Sequence, residues 1–254
     1  MTRKRKNKLK NSSSPKDLAL SPKNQKDTLT LLAVIACFVL SGFAALLYQT
    51  AWLRQFSLTF GTSDIAIATV LAAYMGGLAL GAMIAGRYAS RVKNPVLVYG
   101  LLEMGIALSA LTVPLLLLVA RNLYIYVLGD QPTPPDGNTI GQPIFYLLTG
   151  FVVLALPTGF MGATLPLLAR HAVQNDRELG PRIALLYATN TGGAVIGTLV
   201  AAFVLLPRLG LNGTVWVGVA VNAAVFLIAT LLATRSPACV YTLSEKNSRP
   251  TVCF

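Results

Sequence analysis

Six apolar stretches, each about as long as a bilayer is thick, set what this chain can fold into. They run roughly over Leu29–Thr50, Ile65–Gly86, Pro95–Ala120, Ile144–Ala169, Ile183–Leu206 and Thr214–Thr234. About 20 apolar residues cross about 30 Å of hydrocarbon as a helix. Hydrophobic residues make up 54% of the chain and charged residues 12%, about half the charge of a soluble domain. Lipid offers the backbone no hydrogen-bond partners, so helices are favoured over open strands. The glycine-broken runs also lack the alternation of a membrane barrel. The expected fold is an all-α integral membrane protein with six transmembrane helices. Residues 29–234 form the membrane domain, 1–28 a disordered basic tail and 235–254 a short second tail.

Two of these stretches repeat each other. Gly76-Gly77-Leu78-Ala79-Leu80-Gly81 lies in the second and Gly192-Gly193-Ala194-Val195-Ile196-Gly197 in the fifth. A weaker echo links Ser41-Gly42-Phe43 in the first with Thr158-Gly159-Phe160 in the fourth. Three spans repeated once predict a 3+3 arrangement, inverted because three is odd. Small residues also recur every four positions, at Ala73, Gly77, Gly81 and Ala85 and at Thr189, Gly193, Gly197 and Ala201. Small residues at that spacing let helix backbones approach closely. Gly76, Gly77, Gly81, Gly192, Gly193 and Gly197 are therefore candidate packing positions. Two roles fit them, plain tight packing and the rocking of one helix on another.

The formal net charge of +12 is laid out by side. The segment to Thr28 holds nine Lys and Arg, and Arg87, Arg91, Lys93, Arg170, Arg177, Arg182, Arg235, Lys246 and Arg249 fall on the same side of a six-span chain. Arg54, Arg121 and Arg208 fall on the other. The positive-inside rule then expects both termini in the cytoplasm. Contact of the basic tail with anionic headgroups is a second use of the same charge. No basic stripe with interleaved aromatics points to nucleic acid. Val34-Ile35-Ala36-Cys37 resembles a lipoprotein cleavage box, but apolar sequence continues to Leu47 where a mature lipoprotein turns polar. Cys37, Cys239 and Cys253 have no ligand-spaced partners, so no metal site or cofactor is expected. His171, the single histidine, reads as a surface residue rather than a base. No glycine cluster opens a helix after a strand, which excludes a dinucleotide fold.

Polar side chains inside the spans are the candidate binding or coupling residues. Glu103 is the one carboxylate deep in a span. A charge there is costly and needs a partner or water. It is read either as a proton- or cation-binding group or as a structural hydrogen-bonding group. Asn222 lies at a comparable depth in the sixth stretch, and Asn190 in the fifth either bridges helices or lines a cavity. Tyr48, Gln49, Trp52 and Arg54 cluster near the end of the first stretch. They suit an interfacial anchor or a cavity gate. Pro157 and Pro166 bracket a segment of the fourth stretch and predict kinks. The loop Arg121–Pro143, with Pro132, Pro134 and Pro135, reads as irregular. An inverted repeat places any ligand at the midplane between its halves, near Glu103 and Asn190.

Several of these residues together resemble the membrane domain of bacterial fused transporter-like/spermidine synthase proteins. They are Ser41-Gly42, Leu47-Tyr48-Gln49, Trp52, Arg54, Gly61, the Gly76–Gly81 run and Glu103. Met161-Gly162-Ala163-Thr164-Leu165-Pro166, Tyr187-Ala188-Thr189-Asn190-Thr191-Gly192, Leu206-Pro207 and Gly210 join them. The likeness runs from about Leu32 to Leu232. It implies a bacterial inner-membrane location and a link to polyamines, because the family couples such a domain to a Rossmann-like aminopropyltransferase. That catalytic domain is not in this chain, so the resemblance carries over no catalytic residue. The family usually has glutamate where this chain has Gln49; if that acid binds a cation, its loss weakens transport of polyamines here. Gly86-Arg87 to Arg91 is similar to the loop between the second and third spans of major facilitator transporters, with Gly86 at the usual aspartate. Six spans would be half of such a transporter. The resemblance therefore implies a transporter-like module with the bilayer, a second copy or a separate synthase as partners. Its alternatives are a non-transporting anchor or regulator of an aminopropyltransferase, or the remnant of such an enzyme.

Overall fold

The computed structural model describes residues 22–61, 63–128, 141–172 and 176–235. Most of the expected N-terminal tail, Cys239, Cys253 and the centre of the Arg121–Pro143 loop lie outside them. Six helices are seen: α1 Pro22–Phe60, α2 Asp64–Tyr88, α3 Pro95–Leu128, α4 Gly141–Ala172, α5 Asp176–Val200 and α6 Leu206–Arg235. A 3₁₀ turn, Ala89–Arg91, follows α2, and a π turn, Ala201–Leu205, joins α5 to α6.

Local chemistry sets the ends. Gly61 adopts φ 92° after α1 and its N–H donates to the Ser57 carbonyl at 3.0 Å, a left-handed stop that glycine accepts without strain. The Ser63 hydroxyl accepts from Ala66 N at 3.2 Å and caps α2. Asn94 accepts from Leu97 N at 3.4 Å and Pro95 takes the first position of α3, where its missing N–H is not needed.

The expectation of six separate spans in a 3+3 inverted repeat, resembling half of a major facilitator transporter, is overturned. Among the described residues, five segments are long and apolar enough to cross a membrane: Leu32–Phe60, Asp64–Arg91, Pro95–Tyr126, Pro143–Ala169 and Ile183–Thr234. Five segments do not divide into two sets of three. The last has 52 residues and takes in both the fifth and sixth expected spans. The stretch 207–213, left between the fifth and sixth expected spans, stays helical apart from Gly210, at φ 68° and ψ −172°. The Leu206 N–H reaches back to the Ala201 carbonyl in the π turn. That wider turn precedes Pro207, which has no N–H to continue the α pattern.

Glycine contacts decide which helices touch. A side chain at Gly77 would overlap Thr158, one at Gly81 the Gly159 backbone, and one at Gly162 the Leu78 backbone. These lock α2 to α4. On the other flank, Gly193 lies on the backbone of Val39, Gly197 on that of Phe43, and Gly42 on Asn190, which locks α5 to α1. The two glycine ridges thus pack on different helices and not on each other. A Cβ at Gly76 would lie 3.3 Å from the Phe151 ring, and one at Gly192 would meet nothing outside its own turn within 4 Å.

The interior holds two buried clusters. One gathers Tyr48, Trp52, Phe56, Tyr74, Ile106 and Val113. The other gathers Cys37, Phe38, Tyr99, Leu168, Leu186 and Val225. Leu115, Leu118, Leu148, Val152 and Phe203 point outward, as apolar side chains of a bundle in lipid do.

Candidate functional site

Between the two clusters sits the Glu103 carboxylate, with no exposed surface. The Ser41 hydroxyl of α1 donates to Oε1 at 2.6 Å. The Asn222 side-chain amide of α6 donates to Oε2 at 2.9 Å. Of the two ends of the amide only the NH₂ can donate, so this bond fixes the amide orientation and leaves Asn222 Oδ1 as an acceptor. One turn before Glu103, the Tyr99 hydroxyl donates to the Cys37 carbonyl at 3.3 Å. No Lys or Arg among the described residues pairs with the carboxylate.

These contacts define a register. Tyr99 meets Cys37 and Glu103 meets Ser41, the same offset of 62 residues, so α1 and α3 run parallel. Asn222 meets Glu103 and Ala229 meets Gly100, so α6 runs antiparallel to α3. Glu103 lies where three helices converge.

Of the other residues singled out in sequence, Tyr48 and Trp52 are wholly buried. Their rings stack at 5.1 Å with 14° between planes, and Tyr48 packs against Gly218 of α6. Gln49 is half-buried on the neighbouring face and Arg54 is exposed. Asn190 lies against Gly42, next to Ser41 but on α5. The structure therefore brings Glu103 and Asn222 together, puts Asn190 and Tyr48 on the flanks, and leaves Arg54 outside.

Sequence reasoning does not single out Ser41, Tyr99 or Gln55 as site residues. A readable signal exists: Ser41, Tyr48, Trp52 and Gln55 recur at the spacing of one helix face. Tyr99 and Glu103 are likewise one turn apart on α3.

No protein-family model matches the chain, and no curated protein or solved structure matches it. Fold and site together define a helical, multi-spanning membrane protein. The likeness to the transporter-like/spermidine synthase fusions rests on the motifs quoted above.

Proposed function

We propose that this chain is a transporter-like membrane module that holds a proton or a small cation at Glu103. One observation carries the reading. A carboxylate at the meeting point of three helices has no exposed surface and no cationic side chain beside it among the described residues. Intramembrane carboxylates are costly, and those that persist commonly mark ion or substrate pathways. Two neutral donors, from Ser41 and Asn222, hold it in place and leave its charge for a visiting cation.

The motif likeness makes a polyamine the first solute to test. It also makes a second copy of this chain or a separate aminopropyltransferase the first partner to look for. No reaction is placed on the chain itself. The test is uptake by proteoliposomes of labelled putrescine, spermidine and a panel of smaller organic cations. Glu103→Gln keeps the shape of the side chain and an acceptor for a neighbouring donor, so it leaves the bundle folded while removing the charge. Uptake of at least one cation, largely lost in Glu103→Gln, is the expected result. Equal uptake in both proteins would make Glu103 structural and end the proposal.

A further inference from the structure

Five buried side-chain atoms have no hydrogen-bond partner among the described residues: Tyr48 Oη, Gln49 Oε1, Trp52 Nε1, Gln55 Oε1 and Asn222 Oδ1. Four of the five belong to two turns of α1. Folded proteins leave only a few such atoms per 100 residues, and each costs about 1–3 kcal/mol when nothing satisfies it. Four such atoms within two turns of one helix form a local cluster that water is suited to satisfy. Tyr48, Trp52, Gln55 and Asn222 are each more than nine-tenths buried.

The register shows which residues of α3 lie level with them. With the offset of 62 residues between α1 and α3, Tyr48 lies level with Ala110, Trp52 with Pro114 and Gln55 with Leu117. Gln55 and Leu117 do share a groove, together with Thr59, Pro114, Arg121 and Leu211. From α6, Gly218 meets the Tyr48 ring. The side chains level with them on α3 and α6, Ala110, Pro114, Leu117 and Gly218, carry no donor or acceptor, and Pro114, having no N–H, leaves the Ala110 carbonyl as a backbone acceptor level with Tyr48. The Tyr74 ring of α2 meets Trp52 at 6.5 Å. The groove is open to the surface and offers about 220 Å³ at the Gln55 end, room for several waters at about 30 Å³ each. From Gln55 to Ser41 the stripe is about 21 Å long at 1.5 Å per residue. It ends at Glu103 and Asn222. Beyond that point Cys37, Phe38, Leu168 and Val225 close the interior with apolar packing.

We propose that the seam between α1, α3 and α6 is a water path from the Gln55 groove to Glu103. Water supplies both donors and acceptors, which suits a row containing a donor-only indole, amide oxygens and a phenol. Arg121 at the groove disfavours cations there through its charge, so the seam takes water rather than the cation held at Glu103. The inference rests on the reading of Glu103 as a functional group only for its purpose, not for its geometry.

Hydroxyl-radical footprinting of the protein in nanodiscs tests it, because radicals generated from internal water oxidise the aromatic rings beside it. Tyr74 is the control. It is as buried as Tyr48, but its hydroxyl is bonded to the Ala45 carbonyl at 3.1 Å. The expected result is that Tyr48 and Trp52 are oxidised several-fold faster than Tyr74. Ala110→Leu, filling the seam level with Tyr48, should bring Tyr48 down to the rate of Tyr74 while Trp52, nearer the groove, stays fast. Tyr48 and Trp52 labelling no faster than Tyr74 in the unaltered protein overturns the path. If that happens while Glu103→Gln still loses uptake, the seam is dry and the cation site stands. If labelling is fast and uptake is indifferent to Glu103→Gln, the path stands and the cation site falls.

Discussion

At the scale of residues, the question is how a carboxylate survives inside a bundle. Its two oxygens each accept one neutral donor, from Ser41 and Asn222. Hydrogen bonds to charged groups reach about 1.5–3 kcal/mol in soluble proteins. Interhelical bonds in membranes average nearer about 0.6 kcal/mol, because the unfolded chain in lipid also finds partners. A double-mutant cycle can separate these. Ser41→Ala and Asn222→Ala, each crossed with Glu103→Leu, which removes both acceptors at similar volume, and followed by unfolding in detergent, should give coupling energies of about 0.5–2 kcal/mol. Zero coupling for both pairs would mean that the bonds do not hold the site. Glu103 itself is readable from sequence, since one acid among apolar residues stands out. Its partners are not. Nothing in a single sequence says that Ser41 rather than another α1 residue is level with Glu103. The loose likeness of depth between Asn222 and Glu103 does coincide with a direct contact.

At the scale of elements, the glycines separate into two kinds that the repeated motif does not distinguish by itself. Gly192 and Gly193 are neighbours in the same Gly-Gly pair. Gly193 is buried on the Val39 backbone, whereas Gly192 is exposed and a Cβ added there would meet no neighbouring helix within 4 Å. Adding one methyl group therefore has opposite signs. Gly193→Ala forces α5 off α1, an overpacking effect of about 1–3 kcal/mol. Gly192→Ala removes backbone freedom from a helix interior and should stabilise by about 0.5–1 kcal/mol. Thermal unfolding of the two variants in the same detergent checks both signs, and a matched loss in each would refute the face assignment. The four-residue period in the sequence already favours Gly193 and Gly197 over Gly192. What it cannot supply is the partner. A small-residue ridge says that some backbone comes close, and the pairing of α5 with α1 and of α2 with α4 needs the rest of the fold.

At the scale of the whole molecule, the placing of α6 depends on one backbone bend. A straight helix of 52 residues would be about 78 Å long, more than twice the hydrocarbon thickness. The segment Ile183–Thr234 instead bends at Gly210, and its two arms both lie on α1, through Gly193 on Val39 and Gly218 on Tyr48. Pro207, Gly210 and Gly213, in the gap between the fifth and sixth expected spans, have the chemistry of helix breakers. Pro207 is absorbed beside the π turn, and Gly210 alone departs from helical geometry. Its φ of 68° and ψ of −172° lie in a region essentially reserved for glycine, where any other residue is strained by about 1–3 kcal/mol. No neighbouring atom would meet a side chain at Gly210, so the effect of Gly210→Ala is backbone strain alone. Gly86 is the matched control, helical and equally open. Gly210→Ala should lower unfolding stability by about 1–3 kcal/mol, and Gly86→Ala should leave it unchanged or raise it by about 0.5–1 kcal/mol. Because α6 carries Asn222 to Glu103, Gly210→Ala should also reduce the coupling between those two residues in the double-mutant cycle. Equal stability of the two alanine variants would show that the bend does not depend on the left-handed residue.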